Sequence, residues 1–297
     1  MLRLGYPCVN IELRNKDIVT DRTIRLATAS NFQLLTDVAN SNLDALLKIL
    51  EWNERHDMKF YRISSNLFPH ITNPKLRKRL KLSMFKDKIT NIGNFINKHK
   101  HRVTFHPNPF LSMGGDEDVM EELRFHTDLI NMMNLDSNSV MIIHGGGVYK
   151  NKDKTIRKWV KKFNSLPLDI KSRIALENDE FSYSLDDVIY ISNSVDSFKV
   201  DGKSVKIPIV LDFFHYKCYK EYQTPLDTII EVVIKTWKHR RVKMHLSEQR
   251  LNSKLGAHSD YVKVIPSIVF RVGDLDLMIE AKQKEQSVLL LRKKYSH

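Results

Sequence analysis

The sequence predicts an α/β fold, a (β/α)8 TIM barrel that forms one domain over residues 1–297. Three observations carry this expectation. Short apolar runs of β type recur eight times, segments with apolar residues at helical spacing lie between them, and the runs end in polar side chains. Parallel neighbours joined by right-handed crossovers need a helix between them, and eight such alternations close a barrel. The alternative is a doubly wound open sheet, which would leave the first and last strands unpaired.

In chain order, RLGYPC (3–8) is the first strand, NLDALLKILEWNERH (42–56) a helix, and FYRISS (60–65) the second strand. RVTFH (102–106) and VMIIH (140–144) flank the helical pattern VMEELRFHTDLINMMN (119–134), in which apolar residues fall three and four apart. TIRKWVKKFNSL (155–166) is the next helix and RIALEN (173–178) the fifth strand. PIVLDF (208–213), RVKMHL (241–246) and LDLMIE (275–280) complete the eight, and AKQKEQSVLLLRKKY (281–295) is the eighth helix. No Pro/Gly/Ser-rich linker or low-complexity stretch marks a second domain.

Lys plus Arg number 48 against 35 Asp plus Glu, a formal charge of +13 that favours an anionic partner, nucleic acid ahead of a membrane surface. The basic stretches KLRKRLKLSMFKDK (75–88) and KNKDKTIRKWVKK (150–162) either hold a phosphate backbone or are ordinary solvated helix faces. No apolar run reaches the roughly 18 residues that span a bilayer. Gly5, Pro7 and Asn10 interrupt the N-terminal segment, so it lacks the core of a secretory signal, and an intracellular, cytoplasmic protein is expected. Cys8 and Cys218 are then reduced packing residues.

Strand ends matter because a parallel barrel builds its active site where its strands finish. Here they finish in His106, His144, Glu177, Asp212 with His215 just beyond, His245 and Glu280, and His258 follows in the connection after the seventh strand. One such histidine is ordinarily a packing residue. A converging set is different, because buried carboxylates and imidazoles need neutralising and divalent ions supply it. The mixed donors favour transition-type ions over Ca or Mg, and they are too many for one tetrahedral ion. Glu177 is expected to bridge two ions, one held with His106 and His144, the other with Asp212, His245 and Glu280, while His215 and His258 hold a third. Lys243, two residues before His245, points the same way and either pairs with carboxylates or, deprotonated or carboxylated, completes a metal shell. His70 lies near the same rim and can meet phosphate. His56, His99, His101, His126, His239 and His297 are assigned to solvent or packing.

The words LGYPCVN, FHP (105–107), IHGGG (143–147), LEND (176–179), LDFFH (211–215), KMHLSEQ (243–249), AHSDYV (257–262) and IEAKQKE (279–285), in that order over nearly the whole chain, resemble the UV damage endonuclease family. The resemblance implies a barrel related to endonuclease IV with a multinuclear metal centre. It also implies ATP-independent nicking of duplex DNA immediately 5′ of UV photoproducts, leaving a 3′ hydroxyl and a 5′ phosphate. Carried over by motif, His106, His144, Glu177, Asp212, His215, His245, His258 and Glu280 match metal ligands, and Lys243 matches a lysine beside the centre. Tyr6 and Asn10 match positions near the lesion, and His70 matches a site histidine. Glu177, Lys243 and His245 are expected to carry catalysis, with two or three divalent ions, Mn2+ first and Zn2+ or Co2+ as alternatives. The expected partner is damaged double-stranded DNA, bound by a monomer. One departure stands out: Pro109 and Phe110 occupy the place of a Gln-Tyr pair that the family uses to probe the damaged pair. Phe110 can still wedge or stack, whereas Pro109 has no polar side chain. Rival readings are an abasic-site endonuclease of the endonuclease IV type, a divalent-metal sugar isomerase, and an idle DNA-binding protein. Charge and the His-rich donor set disfavour the isomerase, and the completeness of the set disfavours the idle protein.

Overall fold

The computed structural model describes residues 1–297 except 26, 27, 30, 74, 75, 77–79, 109, 110, 296 and 297. In chain order its elements are β1 (Leu2–Pro7), α1 (Ile11–Arg14), α2 (Phe32–Arg55), β2 (Phe60–Arg62), α3 (Lys86–Lys98), β3 (Arg102–Thr104), α4 (Met120–Met132) and β4 (Met141–His144). There follow α5 (Lys152–Ser165), α6 (Leu168–Lys171), β5 (Ile174–Glu177), α7 (Leu185–Ser194), β6 (Phe198–Val200), β7 (Lys203–Val205) and β8 (Ile209–Asp212). The last are α8 (Phe213–Cys218), α9 (Leu226–Thr236), β9 (Val242–Leu246), β10 (Leu275–Ile279) and α10 (Lys284–Tyr295).

Eight strands form one sheet in the order β3-β2-β1-β10-β9-β8-β5-β4, parallel throughout. β1 pairs with β10 from Leu2↔Leu275 to Gly5↔Met278, which excludes the open sheet. The remaining gap closes at the bridge Phe105↔Met141, where Phe105 N–H donates to Val140 O and Phe105 O accepts from Ile142 N–H, both at 2.9 Å. The protein is therefore a TIM barrel. The β6–β7 hairpin stands outside it as an antiparallel pair, and its three-residue strands are too short to carry a periodic signal.

Helix starts follow local chemistry. Asn31 accepts from Leu34 N–H at 3.2 Å, which begins α2 ten residues ahead of the apolar pattern at position 42. Asn151 caps α5 through Lys154 N–H at 2.8 Å, and Ser184 with Asp187 forms a capping box on α7. In α5, Thr155, Ile156, Trp159 and Phe163 face inward while Arg157, Lys158 and Lys161 stay in water, so this basic stretch is largely a solvated helix face. Positions 75 and 77–79 of the other basic stretch, and His297, lie outside the described residues. His56 stacks on Trp52 with centroids 3.7 Å apart, and His101 and His126 are buried, so these histidines pack as expected. Cys8 and Cys218 are unpaired. Among the described residues no helix is long and apolar enough to cross a membrane.

The barrel floor is ionic. Asp276, fully buried on β10, accepts from Arg3 at 2.6 Å, Arg102 at 2.9 Å and Arg241 at 2.6 Å. Nearby, Glu54 of α2 takes hydrogen bonds from Lys59 and from His101, the latter at 2.7 Å. Burial alone would raise the Glu54 carboxyl, but these donors outweigh it and hold it at about 2. A depressed carboxyl stabilises the fold above its unfolded value of about 4.3 and loses that contribution as pH falls toward its folded value. Glu54→Gln is thus expected to lower stability near neutral pH, with the difference from the native chain shrinking between about pH 5 and about pH 2 in urea denaturation. A pH-independent difference would refute the assignment.

Candidate active site

The site grows out of how β5 and β8 end. Asn178, just past β5, accepts from Asp212 N–H at 2.8 Å and donates to Asp212 O at 3.1 Å, tying the two strand ends together. Asp212 is also the N-cap of α8: its Oδ1 accepts from Phe214 N–H at 2.7 Å and His215 N–H at 2.8 Å. That cap explains the three-residue spacing, because it turns His215 back over the strand end. The His215 Nδ1–H donates to Asn178 O at 3.0 Å, and its Nε2 lies 3.7 Å from Glu180 Oε2.

Glu177, 1 % exposed, is the hub. Its Oε1 lies 2.6 Å from His245 Nδ1 and 3.8 Å from His215 Nδ1, and its Oε2 lies 3.4 Å from His106 and 3.7 Å from His144. Ligand atoms fall into three groups, each within 4.8 Å: His106, His144 and Glu177; Glu177, Asp212 and His215; Asp212, His245 and Glu280. The first brings together three residues expected to share an ion; the third holds Asp212, His245 and Glu280 without Glu177, which is shared by the first and second groups instead. The second differs from the sequence reading, since His215 groups with the two acids rather than with His258. His258 joins none of these groups, although its Nδ1 lies 3.8 Å from Glu280 Oε2.

Whether this set fits divalent ions can be judged from its unmet valences. Glu177 Oε2 and Asp212 Oδ2 are buried acceptors without a hydrogen-bond partner, a costly state that a cation between neighbouring donors removes. Protonation is also at odds within the set. Burial drives His144 down to about 3, against Glu177 and helped by His106 and His215. Burial opposes charging His215, yet Asp212, Glu177, Glu180 and Glu280 push it up to about 9. Burial likewise raises the Asp212 carboxyl. Glu177 and Glu280 are held low despite burial, the first by His245 and His144, the second by Arg62 and His245. The residues fit transition-type divalent ions.

Lys243 is fully buried, and its Nζ contacts His245 Nε2 while lying 5.8 Å from the Phe60 ring. Burial pushes its amine well below the usual lysine range. It makes no salt bridge among the described residues, and the other nitrogen of the imidazole it touches faces Glu177 and Glu280. Two residues escaped the sequence reading. Arg62, closing β2, donates to Glu280 Oε1 and lines the cavity; the end of a strand in Arg was the available signal. Glu180 lines it too, three residues beyond Glu177.

The residues expected to contact the lesion lie as follows. Tyr6 and Asn10 are fully buried: Tyr6 Oη–H donates to Asn53 Oδ1 at 2.6 Å and accepts from Asn10 Nδ2 at 3.0 Å, while Asn10 Oδ1 caps α1. They are not among the residues that line the cavity. His70 faces Ile24 O, 2.7 Å from its Nε2, and is not among the cavity residues. Phe110, with Pro109, lies outside the described residues.

A cavity of about 770 Å³ opens over the donors, lined among others by Cys8, Arg62, His106, His144, Glu177, His215, His258 and Glu280. Its walls come partly from two loops locked together. A side chain at Gly145 would meet the buried Tyr183 ring at 2.3 Å, and Gly146 has φ +84°, so IHGGG lets the β4 and β5 loops touch.

The chain matches the UV-endonuclease UvdE family over residues 2–297. A relative from Acanthamoeba polyphaga mimivirus is 36 % identical over 312 residues, covering 99 % of this chain and 92 % of that protein. The UV DNA damage endonuclease of Clostridium perfringens is 32 % identical over 304 residues, covering 97 % and 69 %. The crystal structure of SacUVDE superposes with a TM-score of 0.84 at 28 % identity, covering 100 % of this chain and 99 % of that one. Alike in sequence and in fold from one end to the other, and with its strand-end acids and imidazoles gathered over one cavity, the chain belongs to the UV-endonuclease UvdE family.

Proposed function

We propose that the protein is a metal-dependent, ATP-independent repair endonuclease, a single barrel domain that acts as a monomer. It nicks duplex DNA immediately 5′ of UV photoproducts, cyclobutane pyrimidine dimers and 6-4 photoproducts, and leaves a 3′ hydroxyl and a 5′ phosphate. The observation that carries this reading is the three donor groups joined through Glu177 and Asp212 beneath an open cavity in a member of this family. His106, His144, Glu177, Asp212, His215, His245 and Glu280 would hold two or three ions, with His258 beside them. Mn2+ is the first choice, Zn2+ or Co2+ the alternatives. When bound, such ions supply Lewis-acid assistance to the attack of water on phosphorus and offset the charge that develops there.

The chain's own groups do the rest. Lys243 keeps the His245 ring in place, and Asp212 divides its two oxygens between the α8 cap and the donor cluster. Arg62 puts a permanent cation on the cavity wall where a phosphate oxygen can be received. The charge of +13 draws the duplex in, and dimers lower the cost of unstacking the nucleotides that must reach the recessed donors. Replacement of the Gln-Tyr pair by Pro109 and Phe110 favours a second reading, cleavage at abasic sites with the same centre.

A panel of dimer, 6-4 photoproduct, abasic and undamaged duplexes separates the two. With Mn2+, cutting 5′ of dimers and photoproducts is expected, EDTA abolishes it, and restored Mn2+ returns it. Cutting of abasic duplex with dimers ignored would establish the second reading, and equal cutting of undamaged duplex would defeat both.

A further inference from the structure

Phe181 combines two properties that rarely meet: it is 64 % exposed, and its backbone is held rigidly at the edge of the cavity. The rigidity comes from Asp179, whose Oδ1 accepts from Phe181 N–H at 2.9 Å, Ser182 N–H at 2.5 Å and Tyr183 N–H at 3.1 Å. Asp179 N–H donates in turn to Tyr183 O at 2.9 Å, and the buried Tyr183 ring packs on Gly145. Such a loop gives its side chains a defined position at little entropic cost on binding. The neighbouring cavity walls offer Glu177, Asp179, Glu180 and Glu280, none of which presents a flat apolar face. Tyr149, the other exposed aromatic of the cavity, already lies against Gly115, where an added Cβ would sit 2.7 Å from its hydroxyl. Phe181, among the described residues, has no ring or cation stacked on it.

We propose that Phe181 is the platform on which a base displaced from the duplex beside the lesion stacks while the adjacent phosphate enters the donor cluster. A base has an apolar π-face whatever its identity, so such a platform tolerates any sequence around the damage. A phosphate cannot reach donors at the cavity bottom unless a flanking nucleotide leaves the helix, and the displaced base then needs a surface that replaces its lost stacking. Phe181 is therefore a substrate-binding residue. This inference rests on the proposed endonuclease activity.

The test is steady-state nicking, with Mn2+, of a duplex carrying one dimer, by the native chain and by Phe181→Ala, Phe181→Leu and Phe181→Trp. Loss of the stacking surface is expected to raise KM about 10-fold in the Ala variant with kcat much less affected. Leu keeps apolar bulk without a flat face and stays near Ala, while Trp returns KM to within about twofold of native. A merely structural residue would instead lower the melting temperature or kcat, and Leu would rescue it. Native cutting with KM unchanged in the Ala variant, or equal rescue by Leu and Trp, overturns the inference and leaves the endonuclease reading intact. If the native chain cuts a different lesion, the same comparison on that duplex decides the platform. If it neither binds nor cuts any duplex of the panel, both readings fall.

Discussion

Glu177→Gln is expected to reduce nicking of irradiated duplex by more than about 100-fold, since even residues that only support metal ligands are worth 10- to 100-fold. The variant should still fold. Gln has the volume of Glu and can accept the 2.6 Å hydrogen bond from His245 Nδ1–H, so the packing around this 1 % exposed position survives. What it loses is the charge that two of the three donor groups share. Thermal melting tells this loss from misfolding. Metal at about 100 times its dissociation constant stabilises a protein that binds it by about 2.7 kcal/mol, a shift that the native chain should show and the variant largely lack. Near-native nicking, or an undiminished metal-induced shift, would remove Glu177 from the centre.

Lys243→Met has the second largest expected effect, a fall of about 10- to 100-fold in nicking and in metal affinity, the range for groups that orient a ligand. The unfolding temperature should hold or rise slightly. The amine is fully buried and already driven toward its neutral form, so a thioether of similar length removes a desolvated polar group without leaving a charge unpaired. The activity falls because His245 Nε2 loses its partner and the ring is free to turn from the line that points Nδ1 at Glu177 and Glu280. A variant that melts lower yet cuts as well as native would make Lys243 a packing residue alone.

The donors were legible because a parallel barrel converts sequence position into spatial position: β8 and β9 pair Asp212 with His245, and β9 and β10 pair His245 with Met278, so strand ends meet at one level. The spacing of Asp212 and His215 was visible, but not its cause, since a cap can be recognised only when the backbone N–H groups it serves are in view. The burial of Tyr6 and Asn10 was not legible, because their polar atoms are satisfied by each other and by Asn53, 47 residues beyond Tyr6, a partnership that no local pattern encodes. Arg62 was missed for the opposite reason. A lone charge at the end of a three-residue strand looks like an edge until Glu280, 218 residues later, comes to meet it.

The place of β1 in the sheet has a consequence for the birth of the molecule. It lies between β2 and β10, and Arg3 meets Asp276 across 273 residues of sequence. During synthesis one flank of the first strand has no mate until β10 has left the ribosome, so this pairing forms late and contributes the most distant contacts. For that interval a bare parallel edge with Leu2 and Leu4 on it is open to other nascent chains. Yield in a cell should accordingly respond to chaperone supply and translation speed more than the finished barrel's resistance to heat would suggest.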